Sequence, residues 1–228
     1  MPEPLVSVVM PAFDEERFIG EALDSVLSQT YEAVEVIVVD DGSTDRTSEI
    51  ADTFGVRVVH QERAGHPTAR NLGLSQARGE YWTIFDADDV MPPERIERQV
   101  EHLRQHPELG MVLGLTEAFV TPGEPRPRHW NPAWDSGPFP GCAGTMMARR
   151  ELLAVVGPYD ESMAVSADFE WIVRARDLGV GAAHVDALAL RYRIHPGTVS
   201  ADRIQVSGVM LAVLRESLAR RRASTATT

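Results

Sequence analysis

Short β-branched apolar runs alternate with helical patterns along the first half of this chain. The runs VSVVM (Val6–Met10) and EVIVVDD (Glu35–Asp41) contain consecutive apolar residues and do not alternate, which predicts strands buried on both faces of a parallel sheet. Between them, Phe18–Leu27 spaces its apolar residues three and four positions apart, as an amphipathic helix does. Strand–helix–strand units at this spacing favour right-handed crossovers, and therefore an α/β fold with a mostly parallel sheet.

The other elements are predicted by the same criteria. In the first half they are strands at Val56–His60 and Tyr81–Asp86, and helices from Ser43 or Thr44 to Gly55, from Pro67 to Gly79 and from Pro93 to His106. In the second half they are strands at Met111–Val120, Thr145–Ala148 and Leu188–Ile194, helices at Arg150–Val156 and Asp168–Leu178, and a C-terminal helix. The Pro-rich stretch Thr121–Gly141 is predicted to be a long irregular loop.

The composition narrows the class of protein. The chain has 228 residues and a formal net charge of −12, which argues against a nucleic-acid partner because such proteins present a concentrated cationic face. A single cysteine, Cys142, excludes an intrachain disulfide. No apolar run approaches the roughly 20 residues that span a bilayer. We therefore expect a cytoplasmic protein of one domain.

Acidic residues follow three of the predicted strands. PAFDE (Pro11–Glu15) follows the first strand, Asp40 and Asp41 end the second, and DADD (Asp86–Asp89) ends the fourth. Parallel strands end at one edge of a sheet, so we expect these carboxylates to lie together, where their repulsion favours a divalent cation such as Mg²⁺ or Mn²⁺. Such a cation stabilises charge on a diphosphate leaving group, which indicates metal-assisted chemistry on a nucleoside diphosphate.

Helix capping is the alternative role for these aspartates. For Asp14, Asp40 and Asp45 taken singly, a cap or turn explains the sequence equally well. It explains Asp86–Asp89 less well, because one cap needs one oxygen and this segment carries three acids. No glycine-rich phosphate loop follows the early strands, so a cation and arginine would have to meet the charge of a nucleotide.

Two segments of the chain resemble a known family. The strings VSVVMPAFDEERFIGEALDSVLSQTYEAVEVIVVDDGSTDRT and GHPTARNLGLSQARGEYWTIFDADDVMPP look like the N-terminal half of family 2 glycosyltransferases, with several motifs in the family's order. The resemblance is dense over Val6–Arg104 and thinner over Gly144–Ser200. It implies one GT-A-type, Rossmann-like domain with a mostly parallel central sheet flanked by helices. Residues 1–110 would bind the nucleotide sugar and 111–200 would form the acceptor and catalytic half, followed by a C-terminal helix (201–222) and a tail (223–228).

The resemblance assigns donor-site roles to matching positions. Asp41 is expected to accept a hydrogen bond from a ring N–H of the base, and Arg70 to lie near the base or the diphosphate. The DxD motif, Asp86–Asp88, is expected to hold the ribose and the metal ion. The full nucleotide-sugar-binding set is Pro11, Ala12, Phe13, Glu15, Asp41, Arg70, Asp86, Ala87 and Asp88.

The metal ligands follow from the same resemblance. Asp88 and Asp89 are both candidates, and the choice between them stays open. The segment YRIHPGTVS resembles a tail motif of the family that places an arginine and a histidine near the diphosphate. His195 is therefore a third candidate ligand or a donor to phosphate, although a structural role is equally open. The expected ion is Mn²⁺ or Mg²⁺.

The catalytic base is expected in the segment SADFEWIVRARDLG, which matches the family segment that supplies it. Asp168 is the expected base and Glu170 the alternative. Family members often carry Glu-Asp here, whereas this chain has Ala167 before Asp168. Asp168 is also suited to cap the helix that follows, and the two roles are compatible.

These assignments predict an inverting glycosyltransferase that moves a sugar from a nucleotide diphosphate to an acceptor hydroxyl, in glycan, polysaccharide or glycolipid biosynthesis. The resemblance favours UDP as the carrier over GDP and dTDP. Two alternatives stay open. One is a non-catalytic nucleotide-sugar or glycan-binding relative on the same fold, which the change at Ala167 keeps in play. The other is a sugar nucleotidyltransferase, which would normally carry a glycine-rich basic loop after the first strand.

The acceptor region is predicted around Trp130 and Trp134 in the Pro-rich loop. Their aromatic faces suit a sugar ring or a lipid, and packing against the core is an equally good explanation. The acceptor is expected to be a glycan, a lipid-linked molecule or a small molecule. The cluster Arg220–Arg222 suggests a weak peripheral contact with an anionic membrane, although a solvated helix end explains it too.

Overall fold

The computed structural model describes residues 3–141, 143–198 and 203–225 of the chain. Its helices are α1 (Ile19–Leu27), α2 (Thr47–Thr53), α3 (His66–Gln76), α4 (Arg95–Gln105), α5 (Leu152–Val156), α6 (Ala167–Asp177) and α7 (Arg203–Thr225). Its strands are β1 (Val6–Ala12), β2 (Val34–Asp40), β3 (Arg57–His60), β4 (Tyr81–Ile84), β5 (Leu109–Phe119), β6 (Phe139–Pro140), β7 (Met147–Arg149) and β8 (Gly181–Arg193). Cys142, the end of the predicted tail motif (Val199 and Ser200) and residues 226–228 lie outside the described residues.

The eight strands described form one sheet in the order β3–β2–β1–β4–β7–β5–β6, with β8 paired to β5. β1 runs parallel to β2 and β4, β2 to β3, and β5 to β8. β7 is antiparallel to β4 and β5, and β6 is antiparallel to β5. The predicted α/β fold with a mostly parallel sheet is confirmed. Because β2, β1 and β4 are parallel neighbours, their carboxyl ends lie at one edge.

Helices cover both faces of the central strands. On one face, Val8 belongs to a buried apolar cluster with Leu23 of α1 and Ile96 of α4. On the other face, Val9 belongs to a second cluster with Trp171 of α6. A fully buried side chain of this size contributes about 1.5–3 kcal/mol. Burial on both faces is why β1 has apolar residues at consecutive positions.

The predicted start of α2 is wrong. The helix begins at Thr47, whereas Ser43 and Thr44 lie in the preceding loop. There, Asp14 donates its backbone N–H to the Ser43 hydroxyl (3.1 Å) and accepts the Thr44 N–H (2.7 Å). Asp45 accepts the N–H of Thr47 at 2.9 Å. The small polar residues therefore join the β1–α1 and β2–α2 loops instead of capping the helix.

The predicted end of α3 at Gly79 is also wrong, because the helix ends at Gln76. The Gly79 N–H donates to the Ser7 hydroxyl at 2.8 Å, and a Cβ at Gly79 would lie 2.6 Å from the backbone nitrogen of Ser7. Gly79 is therefore needed where the chain passes close to β1. The other predicted boundaries in the first half differ from the observed ones by at most two residues, which is usual for element ends.

The second half departs further from the prediction. β8 begins at Gly181, seven residues before the predicted start at Leu188, because its first residues alternate in exposure and include His184 and Asp186. The Pro-rich loop contains a 3₁₀ turn (Pro132–Ser136) and the short β6.

The C-terminal helix α7 is attached to α6 through Asp177. The Asp177 carboxylate accepts hydrogen bonds from Ser217 (2.7 Å), Arg221 (2.8 Å) and Arg220 (3.1 Å). Two arginines of the predicted membrane-binding cluster therefore pair with the protein itself, and membrane contact stays a prediction. Within the described ranges, no helix combines the length and apolar character needed to cross a bilayer.

Candidate active site

A cavity of about 330 Å³ lies at the carboxyl ends of β1 and β4. The chemically important residues in its lining are Phe13, Glu15, Arg70, Asp86, Asp88 and Asp168. Four more of the predicted site residues also line it: Pro11, Ala87, Asp89 and Trp134. The predicted residues outside the lining are Ala12, Asp41, Trp130, Glu170 and His195.

Four carboxylates crowd one wall of this cavity: Glu15, Asp86, Asp88 and Asp89. Burial, followed by the negative charges of Asp88 and Asp86, raises the pKa of Glu15 to about 8. Burial and the same two charges raise the pKa of Asp89 well above its usual value. Crowding of this kind is relieved by protons or by a cation, so the wall is suited to attract positive charge.

Arg70 connects the acidic wall to the opposite side of the cavity. Its guanidinium Nη2 lies 3.3 Å from Oδ1 of Asp86, and Nη1 lies 3.7 Å from Oδ2 of Asp168. Burial alone would lower the pKa of Arg70, but the charges of Asp86 and Asp168 raise it above its usual value. Its buried Nε has no hydrogen-bond partner among the described residues. Arg70 is therefore a buried cation held between two carboxylates.

Asp168 lies in the first turn of α6, and its side chain is 32% exposed. Its Oδ1 accepts the backbone N–H of Phe169 at 2.7 Å. Ser166, just before the helix, has a positive φ of 61°, a strained conformation for a residue with a side chain. Such strain is common where a loop must present a functional group, and residues 163–168 all line the cavity.

Glu170 and Ala167 are placed differently from Asp168. Glu170 forms a salt bridge with Arg174, one turn along the same helix, at 2.9 Å. It is buried there and lies outside the cavity lining. Ala167, where family members often carry an acid, is 1% exposed and belongs to the same apolar cluster as Trp171.

Asp88 and His195 form the pair of candidate metal ligands that the structure brings together. Oδ2 of Asp88 lies 3.0 Å from Nε2 of His195. The His195 ring packs against Phe18, with 4.8 Å between ring centroids. Among the residues that the structure describes, no group of three His, Cys, Asp or Glu side chains forms a metal-binding cluster. Asp88 thus offers one oxygen ligand and His195 one nitrogen ligand, while the neighbouring Asp89 is buried.

Arg193, the arginine of the predicted tail motif, holds the acidic loop in place. Its backbone N–H donates to Oδ1 of Asp89 at 2.8 Å, and its Nε donates to the backbone carbonyl of Asp88 at 2.7 Å. Its Nη2 forms a 2.6 Å salt bridge with Glu21 of α1. The resemblance places this arginine near the diphosphate, but it did not indicate that the side chain is buried, at 1% exposure, against Asp88, Asp89 and Glu21.

The comparison with protein families identifies the family of this chain. The model of glycosyl transferase family 2 matches residues 7–157. The chain belongs to this family. Glycosyltransferase GlyG of Streptococcus pneumoniae serotype 4 is 41% identical over 116 residues, which cover 48% of this chain and 38% of that protein. This chain thus spans well under two thirds of the length of that curated relative.

Two solved structures have the same fold. The mannosyltransferase PcManGT of Pyrobaculum calidifontis, in complex with GDP-Man and Mn²⁺, gives a TM-score of 0.71 at 21% identity, over 100% of this chain and 66% of that one. S. aureus TarS 1-349, in complex with UDP-GlcNAc, gives 0.70 at 22% identity, over 87% of this chain and 61% of that one. The predicted GT-A-type fold is confirmed.

Asp41, the residue predicted to contact the base, is enclosed in this structure. Phe13 lines the cavity, but Asp41 is 2% exposed and accepts four internal hydrogen bonds. The guanidinium of Arg63 lies over the Phe13 ring, 3.1 Å from its centroid, and reaches Asp41 at 3.2 Å. A base contact to Asp41 therefore requires that one of its present donors leave.

The Pro-rich loop of this glycosyltransferase places one tryptophan at the cavity. Trp134 lines it together with Phe139, and their rings are stacked at 6.4 Å. Trp130 packs edge-on against Trp134 at 5.3 Å, with Arg126 over its other side at 4.5 Å. The predicted acceptor region thus contains one cavity-facing aromatic residue, Trp134, and one that supports it.

Proposed function

We propose that this chain is a metal-dependent, inverting glycosyltransferase that moves a sugar from a nucleotide diphosphate to an acceptor hydroxyl. The observation that carries the proposal is a single cavity in which Arg70 links Asp86, at the end of β4, to Asp168, at the start of α6. The neighbouring structures in complex with GDP-Man and UDP-GlcNAc support a nucleotide-sugar donor. UDP is the carrier that we propose.

Asp88 and His195 are the residues proposed to hold a divalent cation. Mg²⁺ and similar ions bind through one or two carboxylates and complete their shell with water and substrate phosphates, so a two-ligand protein site fits. The carboxylate wall adds the negative potential that such an ion needs. When bound, Mn²⁺ or Mg²⁺ would stabilise charge on the departing diphosphate. Asp89, buried and bonded to the Arg193 N–H, would position the loop.

Asp168 is proposed as the general base. Its carboxylate lines the cavity and is held by the Phe169 N–H and by Arg70, so it has a fixed position facing the acceptor side. The alternative base, Glu170, is paired with Arg174 and lies outside the cavity lining. We therefore prefer Asp168, and we propose that the Arg70 guanidinium, which lines the cavity, donates to an oxygen of the donor substrate.

The reaction that we propose is a single displacement. The acceptor oxygen attacks the anomeric carbon and forms a new C–O bond on the face opposite the diphosphate. The bond from that carbon to the diphosphate oxygen breaks, and its electron pair leaves with the nucleoside diphosphate. Asp168 takes the hydroxyl proton of the acceptor, a contribution of about 10²–10⁴-fold in rate for a well-placed base. One displacement inverts the configuration at the anomeric carbon.

The acceptor is proposed to lie against Trp134 and Phe139, which face the cavity on the side of the Pro-rich loop. Aromatic rings pack well against the apolar faces of a sugar, so a glycan, a glycolipid or a small glycosylated acceptor fits. We propose a role in glycan, polysaccharide or glycolipid biosynthesis.

Calorimetry with UDP, GDP and dTDP, each with and without Mn²⁺, tests the donor site. We expect one nucleotide to bind in a metal-dependent way and Asp88→Ala to weaken that binding at least tenfold. Asp52→Asn, an exposed residue of α2, is the matched control and should bind as the wild type does. Absence of binding by all three nucleotides would contradict the proposal. Binding without donor turnover on any acceptor, or on water, would favour a non-catalytic relative instead.

A further inference from the structure

The carboxylate of Asp41, at the end of β2, has no acceptor position left. Its Oδ1 accepts from Gln61 Nε2 at 2.6 Å and from the Ala64 N–H at 2.7 Å. Its Oδ2 accepts from the Gly65 N–H at 2.9 Å and from Arg63 Nη1 at 3.2 Å. Two oxygens with two donors each are fully occupied. A ligand can use Asp41 only by replacing one of these donors.

The four donors differ in how easily they can leave. The N–H groups of Ala64 and Gly65 belong to the backbone immediately before α3 and cannot leave without moving that segment. Gln61 makes the shortest bond of the four. Arg63 makes the longest, and its side chain is 48% exposed, so water can hydrate the guanidinium once it is released. Arg63 is therefore the donor that exchanges.

The same guanidinium covers the aromatic surface of the cavity next to Asp41. Its Cζ lies 3.1 Å from the centroid of the Phe13 ring, which lines the cavity. A planar base that stacked on this face would have to displace Arg63, and the displacement would free a position on Oδ2 of Asp41. The stacking face of Phe13 and an acceptor position on Asp41 therefore become available together when the Arg63 side chain moves.

We infer that a nucleobase enters by displacing Arg63 and that Gln61 favours bases with a single ring N–H, uracil or thymine, over guanine. The inference rests on the proposed donor site. After the exchange Oδ2 has one free position, while Oδ1 is still filled by Gln61 and Ala64. Uracil presents one N–H on this edge and satisfies that position.

Guanine fits this acceptor less well than uracil does. Guanine presents two adjacent donors, a ring N–H and an amino group, and the second finds no acceptor because Gln61 occupies Oδ1. A buried donor without a partner costs affinity. Gln61 is thus the specificity residue and Arg63 the exchangeable one.

Calorimetry with UDP, GDP and free uridine, using the wild type, Gln61→Met and Arg63→Met, tests this inference. We expect the wild type to prefer UDP over GDP by about tenfold or more, and Gln61→Met to reduce that preference about tenfold by gaining affinity for GDP. Arg63→Met should bind uridine several-fold more tightly, because no ion pair has to break. Gln105→Met, an exposed glutamine of α4, is the matched control and should keep the wild-type preference.

Three results would overturn the inference and leave the donor site intact. They are a wild type that prefers GDP, a Gln61→Met variant whose UDP-to-GDP ratio stays within twofold of the wild type, and an Arg63→Met variant that binds uridine more weakly. The last would mean that the guanidinium holds the base instead of giving way to it. Failure of the wild type to bind either nucleotide would contradict the proposed function itself.

Discussion

The guanidinium of Arg70 lies 3.7 Å from the carboxylate of Asp168. Arg70 belongs to α3 and Asp168 to α6, so the contact joins the two halves of the domain across the cavity. Because the same guanidinium reaches Asp86, the position of the proposed base relative to the donor site is set by one buried cation.

Arg70→Met should lower kcat/KM about 100-fold or more, because Asp86 and Asp168 lose their shared counter-charge and the donor loses a hydrogen bond. Steady-state kinetics with a UDP-sugar measure the effect. Arg98→Met removes an exposed arginine that pairs with Glu94, and it should leave the rate unchanged. A rate for Arg70→Met within a few-fold of the wild type would contradict the role of Arg70.

Glu15 should make the protein less stable as the pH rises. Its pKa is raised to about 8 in the folded state, so the folded protein holds a proton that the unfolded chain loses above about pH 4.5. The free energy of unfolding should therefore fall between about pH 4.5 and 8 and level off above that range. Glu15→Gln cannot ionise and should be more stable than the wild type at pH 8, with little difference at pH 4.

Thermal unfolding of both proteins across this range measures the Glu15 effect. Glu97→Gln, on the exposed side of α4, serves as a control that should follow the wild-type pH profile. Parallel profiles for Glu15→Gln and the wild type would show that Glu15 ionises normally and that the carboxylate wall is less crowded than the structure indicates.

Asp177→Asn should weaken the attachment of α7. Burial alone would raise the pKa of Asp177, but hydrogen bonds from Ser217, Arg221 and Arg220 lower it below its usual value. Because the pKa is lowered in the folded state, the ionised Asp177 carboxylate stabilises the protein above about pH 4. This contribution is lost as the pH falls through the folded-state pKa. We expect a loss of about 1–3 kcal/mol at pH 7.

Urea unfolding at pH 7 and at pH 3 distinguishes this effect from a general loss of packing. At pH 3 the difference between Asp177→Asn and the wild type should shrink, because the unfolded chain then binds a proton at Asp177 that the folded protein, with its lowered pKa, resists. A difference of equal size at both pH values would argue that the ion pairs with α7 contribute nothing.

Gly73→Ala should destabilise the protein by about 1–3 kcal/mol. A Cβ at Gly73 of α3 would overlap the side chains of Val9 and Val39, so the helix could not lie as close to β1 and β2. Gly208→Ala is the matched control, because a Cβ at that position in α7 meets nothing within 4 Å. It should instead stabilise the helix by about 0.5–1 kcal/mol. Denaturant midpoints of both variants measure the contrast.

The sequence predicted the elements whose residues are apolar at consecutive positions. β1 and β2 are buried on both faces, so their runs were unambiguous, and their parallel pairing placed the acidic residues at one edge. The cavity-facing position of Asp168 followed from the family resemblance. Glu170 and Arg174, four residues apart on one helix, form a pair that spacing alone could have indicated.

The rest depends on contacts between distant parts of the chain. Arg193 contacts the acidic loop, which lies more than 100 residues earlier in the chain, and no local pattern predicts that contact. The four donors that fill Asp41 come from a loop about 20 residues further along, so its lack of a free acceptor could not be read from the sequence. The local pattern predicts Ser43 as a helix cap, whereas its partner in the structure, Asp14, lies in another loop that the pattern does not take into account.

The most direct test of the account is the rate at which UDP is released from a panel of UDP-sugars, with water as the acceptor, by the wild type and by Asp168→Asn. We expect slow release by the wild type for at least one sugar. Asp168→Asn should reduce that release about 100-fold or more while UDP affinity, measured by calorimetry, stays within twofold. Equal rates for the two proteins would contradict the assignment of Asp168 as the base that completes this active site.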